Sequence, residues 1–300
     1  ADLKKLKTIS NLRDITTNPS LIYAASQVSE NSDLVDECIQ QSSSPEDFYE
    51  RVSVRFGVEA LRQSKSPLSF VCTQVDIQNS DDTFLTLFQA KRLIDLYKQQ
   101  GIPRERVLIK VAATWEGLQA VKQLESEGIK CLVTLVVCEA QGIAAAEAGA
   151  SMLATYVGRV SDWHNASEDQ SSESREDAGV LMTEAIARAL KERGLKTEVM
   201  AASFRSTDQA ARLAQSCEHL TIAPEILKDL TSEPARKTLP SSFTETDTSV
   251  AITNKKLTQD DLETAIFRDL CASQVYSSSF QGFLDDTRAL QGMYSKKYAA

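Results

Sequence analysis

Three features that often reveal a function are scarce in this sequence: histidine, closely spaced cysteine pairs and long apolar runs. It has 2 histidines, far apart in the chain, and 6 cysteines without a CxxC pair, so we expect no metal site. Several cysteines lie in apolar stretches, which predicts buried free thiols in a reducing compartment. No apolar run approaches the roughly 18–20 residues of a membrane helix, and the N-terminus does not resemble a signal peptide. We therefore expect a cytoplasmic protein that is not attached to a membrane.

Positive charge is also in short supply. Lys and Arg number 33 against 42 Asp and Glu, a net charge of −9. This balance argues against a surface for nucleic acid or anionic lipid. The 300 residues, 42% of them hydrophobic, are enough for one large α/β barrel or two medium domains.

Short apolar stretches alternate with helical patterns along most of the chain. The stretches are residues 12–17, 68–75, 107–114, 131–137, 152–157, 198–204 and 219–222. Gly128, Gly149 and Gly194 each follow a helical pattern, where a left-handed C-terminal cap belongs. Repeated strand, helix and glycine predict a parallel α/β sheet. The close spacing favours a TIM-type (β/α)8 barrel with C-terminal helices, in a single domain over residues 1–300. Its first strand is expected before residue 1.

Other segments carry simpler predictions. Residues 84–100 predict a helix with Phe84, Phe88 and Tyr97 mostly on one side. Residues 165–177 and 232–247 are polar or rich in Ser, Thr and Pro, and predict exposed loops. Residues 259–298 predict helices.

A lysine interrupts the otherwise apolar stretch 107–114. Burying an ammonium is costly, so a lysine at Lys110 would be favoured as the neutral amine, a nucleophile that can form a Schiff base with a carbonyl. The alternative is that Lys110 ends the strand and extends to water. The strand alone does not decide between them.

Polar residues follow several predicted strands, where functional side chains of an α/β barrel lie. They are Asn18, Gln74, Asp76, Lys110, Thr134, Arg159 and Arg205. Arg205 stands beside Ser203 and before a helix capped by Ser206 or Thr207, which together favour an anion site. Arg159 could supply a second guanidinium. The alternative is that both arginines form surface salt bridges.

Five motifs together resemble those of transaldolases. They are TTNPSLI at residues 16–22, IK at 109–110 with TWEG at 114–117, GRVSDW at 158–163, ASFR at 202–205 and LTIAP at 220–224. The resemblance runs from about residue 12 to residue 230 and implies an α/β barrel. It also implies a Schiff-base lysine that moves a dihydroxyacetone unit between sugar phosphates, without metal or cofactor. The matching lysine is Lys110.

The same resemblance assigns further residues. Arg159, Ser203 and Arg205 would hold the phosphate, Thr17 and Asn18 would contact the substrate, and Thr134 would position the catalytic water. Several pocket positions depart from the family pattern: Gln74 replaces a glutamate, Leu132 an asparagine, Ala154 a serine and Tyr156 a phenylalanine, and Cys138-Glu139 stands for Ser-Phe. The family's catalytic aspartate would lie before residue 1.

These departures shape the functional hypotheses. An amide at Gln74 cannot act as an acid or base near neutral pH. Losing a glutamate, an asparagine and a serine from the pocket removes hydrogen-bond partners for sugar hydroxyls and favours a less hydroxylated substrate. The leading hypothesis is a Lys110 Schiff-base enzyme repurposed for another carbonyl substrate with a phosphate-like group. The alternatives are an ordinary transaldolase of the pentose phosphate pathway, and a non-catalytic barrel that binds a phosphometabolite. A homodimer is one expected assembly.

Overall fold

The seven strands predicted between residues 12 and 222 all appear in the structure, a computed structural model that describes residues 12–64, 66, 69–167, 176–231 and 256–298. These residues contain seven strands, one in each apolar stretch: β1 (Asp14–Thr16), β2 (Phe70–Gln74), β3 (Val107–Ala112), β4 (Cys131–Val136), β5 (Met152–Tyr156), β6 (Glu198–Ala202) and β7 (His219–Thr221). Every residue of β3, β4 and β5 is buried. Continuous burial explains why these sequences are apolar throughout instead of alternating.

Helices follow the strands in turn. The described residues hold twelve α-helices: α1 (Pro19–Ser26), α2 (Ser32–Gln41), α3 (Pro45–Gln63), α4 (Thr83–Gln99), α5 (Trp115–Ser126), α6 (Glu139–Glu147), α7 (Val157–Ser167), α8 (Ala178–Glu192), α9 (Thr207–Leu213), α10 (Pro224–Leu230), α11 (Gln259–Arg268) and α12 (Leu270–Tyr298). Gly128, Gly149 and Gly194 have φ of 76°, 83° and 64° after α5, α6 and α8, so the predicted left-handed caps are confirmed.

Two compact units make up the chain: Ala1–Val133 with Ser277–Ala300 (unit 1), and Thr134–Tyr276 (unit 2). In unit 1, β1 pairs in parallel with β2, and β2 with β3. In unit 2, β5 pairs in parallel with β6, and β6 with β7. Strand neighbours within each unit are therefore also neighbours along the chain, as repeated strand–helix–strand connections require. The single domain over residues 1–300 stays a prediction.

Each unit has its own apolar core. In unit 1 a cluster joins α1, α2, α3 and the end of α12 through Ile22, Val35, Ile39, Phe48, Tyr49, Phe56 and Leu290, among others. In unit 2 Val157, Val180, Ala201, Phe204, Ala210 and Leu213 form a second cluster. Five of the six cysteines are buried, in agreement with their apolar surroundings. Burial raises the pKa of the Cys38 thiol to about 12, so this thiol stays protonated at neutral pH.

Some local predictions differ from the structure. In α4 the buried face is formed by Thr86, Gln89, Ala90, Leu93, Leu96 and Tyr97. Phe84 and Phe88 are 73% and 59% exposed whereas Tyr97 is fully buried, so the prediction that the three lie mostly on one side of the helix is wrong. The loop predicted at 165–177 begins later, because α7 continues to Ser167. The loop predicted at 232–247 lies outside the described residues.

None of the helices in the described parts of the chain is long and apolar enough to cross a membrane.

A glycine in α3 permits close packing against α4. A Cβ at Gly57 would overlap the hydroxyl of the buried Tyr97, which hydrogen-bonds Thr73 Oγ1 at 2.5 Å. A Cβ at Gly282 in α12 would meet no atom of the described residues within 4 Å. We expect Gly57→Ala to lower the free energy of unfolding by about 1–3 kcal/mol through overpacking. Gly282→Ala should raise it by about 0.5–1 kcal/mol through helix propensity.

Urea denaturation of the two variants beside the unmodified protein checks this pair. Equal changes in the free energy of unfolding of the two variants would contradict the packing role of Gly57, since both replace glycine by alanine within a helix.

Candidate active site

Lys110 lies within the buried strand β3 and is almost completely enclosed. Its side chain is 5% exposed. Nζ donates a hydrogen bond to the Thr17 carbonyl oxygen at 3.4 Å and lies 5.8 Å from the centroid of the Phe283 ring. The alternative in which Lys110 extends to solvent is therefore wrong. An amine enclosed in this way is the arrangement that Schiff-base chemistry needs.

Gln74 ends strand β2 and is the register partner of Lys110 in β3. The side chain is 2% exposed, and neither Oε1 nor Nε2 hydrogen-bonds any residue that the structure describes. A buried polar group left unpaired costs about 1–3 kcal/mol. Such an amide needs an explanation, and a bound water or a substrate hydroxyl is the usual one.

Asp76 follows two residues after Gln74 and is also buried. Its carboxylate accepts hydrogen bonds from Gln78 N at 2.9 Å and from Gln291 Nε2 of α12 at 3.1 Å. Burial raises the pKa of this carboxyl above its usual value, while the hydrogen bonds from Gln78 and Gln291 oppose that shift.

The other predicted residues of unit 1 have mainly structural contacts. Thr17 Oγ1 donates to the Cys72 carbonyl at 2.9 Å, which ties the end of β1 to β2. Asn18 is the N-cap of α1, where its Oδ1 accepts from Leu21 N at 2.8 Å. Leu132 is fully buried in β4.

In unit 2, strands β4 and β5 bring Thr134 and Tyr156 into contact. The Thr134 hydroxyl lies 3.2 Å from the Tyr156 hydroxyl, and both residues are buried. The Arg159 guanidinium carbon lies 5.2 Å from the centre of the Tyr156 ring, a cation–π geometry. Ala154, two residues before Tyr156, is buried in the same strand.

Arg205 follows β6 and already has partners. Its Nη1 donates to the Ser203 carbonyl oxygen at 2.9 Å and to Ser203 Oγ at 3.2 Å. Its Nη2 pairs with Asp162 Oδ2 at 2.8 Å, with 45% of the Arg205 side chain exposed. Arg205 thus makes the ion pair that the alternative hypothesis described, yet it is accessible enough for an anion to compete with Asp162.

The backbone of the turn after β6 lies close to the start of α7. Gly158 N donates to the Ser203 carbonyl oxygen at 3.0 Å, and a Cβ at Gly158 would overlap that oxygen. Ser203 has a φ of 67°, which is uncommon for a residue with a side chain. Strained residues of this kind are concentrated at functional sites. The glycine of the GR pair therefore has a geometric reason, because a side chain at Gly158 would overlap the Ser203 carbonyl oxygen.

The predicted helix N-terminus contributes less. Helix α9 has 7 residues, and its Ser206 cap already accepts from Gln209 N at 3.2 Å. The expected anion site therefore rests on Arg205, Arg159 and Ser203 and not on α9. Within the described residues, no group of three or more His, Cys, Asp or Glu could hold a metal ion.

The structure brings predicted site residues together in two groups, each within one unit. Unit 1 joins Lys110, Thr17 and Gln74, and unit 2 joins Thr134 with Tyr156 and Ser203 with Arg205. Helical periodicity over residues 259–298 predicts Phe283 as a packing residue, and it is buried, but no sequence pattern assigned a place near the site to Phe283 or Gln291, which lie near Lys110 and Asp76. Both lie in a helix without a motif and far along the chain, so local patterns carried no signal for that placement.

Comparison with known proteins agrees with the sequence motifs. The family model described as Transaldolase/Fructose-6-phosphate aldolase matches residues 1–294. A protein named Transaldolase from Prochlorococcus marinus (strain MIT 9301) is 37% identical over 313 residues, which cover 99% of this chain and 91% of the relative. Transaldolase A from Pasteurella multocida (strain Pm70) is 36% identical, covering 95% and 90%. A Transaldolase from Yersinia pseudotuberculosis serotype O:3 (strain YPIII) is 43% identical over 227 residues, covering 73% and 70%.

The match over nearly the whole chain confirms the predicted resemblance and the predicted fold class, a TIM-type α/β barrel. The chain belongs to the transaldolase/fructose-6-phosphate aldolase family and is a transaldolase-type enzyme.

Proposed function

We propose that this enzyme moves a dihydroxyacetone unit between sugar phosphates through a Schiff base on Lys110. The observation that carries the proposal is the enclosed amine of Lys110, 5% exposed, beside the amide of Gln74, which has no hydrogen-bond partner among the described residues. The amine is the nucleophile, and the amide offers hydrogen bonds to a water or hydroxyl of the substrate.

The chemistry follows from an imine acting as an electron sink. The Nζ lone pair attacks the ketose carbonyl carbon, and the carbonyl oxygen leaves as water after protonation. The iminium then accepts the electrons of the adjacent carbon–carbon bond when the hydroxyl beyond that bond loses its proton. An aldehyde departs and an enamine remains on Lys110. An acceptor aldehyde captures the enamine, and hydrolysis of the new imine releases the product.

Proton transfer needs groups other than Gln74, since an amide cannot give or take a proton near neutral pH. We propose the hydroxyl pair of Thr134 and Tyr156, which are 3.2 Å apart, for this role. Arg205, Arg159 and Ser203 are proposed to hold the phosphate of the substrate, because guanidinium groups bind phosphate bidentately.

The comparisons do not support the hypothesis of a less hydroxylated substrate. The relatives named Transaldolase favour the alternative, an ordinary transaldolase. The substitutions at Gln74, Leu132 and Ala154 are then tolerated variations within a pocket for sugar hydroxyls.

The Schiff base is tested by trapping it. Borohydride reduces an iminium to a stable secondary amine, so the enzyme treated with fructose 6-phosphate should gain a covalent label on Lys110. Lys110→Arg and Lys110→Ala should show neither label nor turnover, because neither side chain forms an imine. Mass spectrometry of the intact protein and of its peptides measures the label.

Circular dichroism of the Lys110 variants shows whether they are folded. Full turnover in folded Lys110→Arg would contradict the mechanism. A label on another lysine would show that the Schiff base forms at that lysine instead.

The phosphate site is tested at Arg205. Arg205→Ala should raise KM for fructose 6-phosphate about 10- to 100-fold, since a charge-assisted hydrogen bond contributes about 1.5–3 kcal/mol. Turnover of unphosphorylated fructose should change much less. The matched control is Arg212→Ala in the same region, whose guanidinium pairs with Glu184 at 2.8 Å. Equal losses for both sugars would show that Arg205 does not bind the phosphate.

Gln74 can be tested by adding a carboxylate. Gln74→Glu should raise the transfer rate from fructose 6-phosphate to erythrose 4-phosphate at least tenfold, because general acid–base catalysis contributes about 10²–10⁴-fold. It should also add an acidic limb to the pH–rate profile, where the new carboxylate becomes protonated. Gln74→Met, of similar size without polar atoms, should lower the rate.

The reaction is run with and without erythrose 4-phosphate. Transfer that requires the acceptor supports the transaldolase function, whereas release of dihydroxyacetone without it would show a free aldolase. A rate in Gln74→Glu no higher than in the unmodified enzyme would mean that Gln74 does not limit proton transfer.

A further inference from the structure

Two of the described groups that lie near the amine of Lys110 come from residues far from it in the chain. Helix α12 carries Phe283, which is 1% exposed and places its ring centroid 5.8 Å from Lys110 Nζ. The other of these two groups is the Thr17 carbonyl oxygen at 3.4 Å. All three residues belong to unit 1.

Helix α12 holds Phe283 in place through a stripe of contacts. Thr287 and Leu290, one and two turns further along the same face, are fully buried, and Leu290 belongs to the core cluster of unit 1. Polar contacts along the helix add to this packing. Asp286 accepts from Ser20, Gln291 donates to Asp76 at 3.1 Å, Tyr294 OH donates to the Ser42 carbonyl at 3.3 Å, and Lys297 pairs with Asp36 at 2.6 Å.

The ring restricts the amine physically. An aromatic face attracts an ammonium or an N–H donor, and the Thr17 carbonyl accepts one N–H, so the two together limit where Nζ can point. The ring also occupies volume that water would otherwise fill next to the nucleophile. Fixing an attacking group relative to its target contributes much of the rate of a bimolecular step, and a displacement of about 1 Å can cost about 100-fold.

We infer that Phe283 is a positioning residue for Lys110, holding the amine between its ring and the Thr17 carbonyl so that the lone pair faces the incoming carbonyl carbon. This inference rests on the proposed function. It assigns to the C-terminal helix a part in catalysis in addition to its part in the core of unit 1.

A purely structural role for Phe283 makes different predictions. If the ring only fills space, an apolar variant that keeps most of its volume should lose at most a little stability and should react normally while folded. If the ring positions the amine, imine formation should slow even in well-folded protein, and a ring-keeping variant should retain it.

The experiment measures the rate of borohydride labelling by fructose 6-phosphate, together with kcat, KM and the melting temperature. The variants are Phe283→Leu and Phe283→Met, which are apolar without a ring, and Phe283→Tyr, which keeps the ring. Leu290→Val is the matched control, since it removes a methylene group from the same buried face of α12 without a contact to Lys110 among those described.

We expect Phe283→Leu and Phe283→Met to lower the labelling rate and kcat about 10- to 100-fold, with KM changed less than about twofold. Phe283→Tyr should stay within about threefold of the unmodified enzyme in both rates. Leu290→Val should lower the melting temperature while its labelling rate stays unchanged.

Normal labelling and kcat in folded Phe283→Leu or Phe283→Met would overturn the inference and leave the Lys110 Schiff base intact. Loss of folded protein in both of these variants would assign the ring to packing and also overturn it. Failure of the unmodified enzyme to become labelled would overturn the proposed function itself, and the inference with it.

Discussion

Lys110 places an amine inside β3, a strand whose other residues are apolar. Contacts from other elements of unit 1 offset part of the free energy that burying this amine costs. Removing an ammonium from water is unfavourable unless other groups take over its interactions. Here the Thr17 carbonyl and the Phe283 ring supply contacts from two sides. Strands β1 and β2 and helix α12 must all be in place before these contacts exist. The nucleophile is therefore a product of tertiary packing, although the lysine itself is plain in the sequence.

Unlike the Lys110 amine, the Gln74 amide is buried without hydrogen-bond partners among the described residues. Buried polar groups in folded proteins are almost always satisfied. Asp76, two residues later, accepts hydrogen bonds from Gln78 and Gln291. Within the part of the chain that the structure describes, these neighbouring residues therefore differ: the Asp76 carboxylate has hydrogen-bond partners in the protein, and the Gln74 amide has none.

In unit 2 a close backbone approach positions the charged groups. Gly158 and Ser203 bring the start of α7 against the turn after β6, and Arg205 lies over this contact with Asp162 as its ion-pair partner. A salt bridge between partly exposed side chains contributes little to stability, typically about 0.2–1 kcal/mol. The phosphate proposed to bind here would therefore have only a weak ion pair to displace, and its geometry also suits a guanidinium.

Local sequence patterns were enough to predict the strands, the left-handed glycine caps and the family. Continuous apolar runs indicated the strands, glycines at helix ends indicated the caps, and motifs of a few adjacent residues indicated the family. The sequence also indicated Lys110 and Arg205 as candidate site residues, because their charge differs from the residues around them. The exposed Phe84 and Phe88 were misplaced, since periodicity shows that a helix has an apolar face but not which residues other elements cover. The folded structure was needed to show that Lys110 is enclosed, that the Gln74 amide has no hydrogen-bond partner among the described residues and that Arg205 pairs with Asp162. Those facts, and the contact of Phe283 with Lys110, join residues far apart in the chain, and such contacts follow from how the whole chain packs and not from any segment of it.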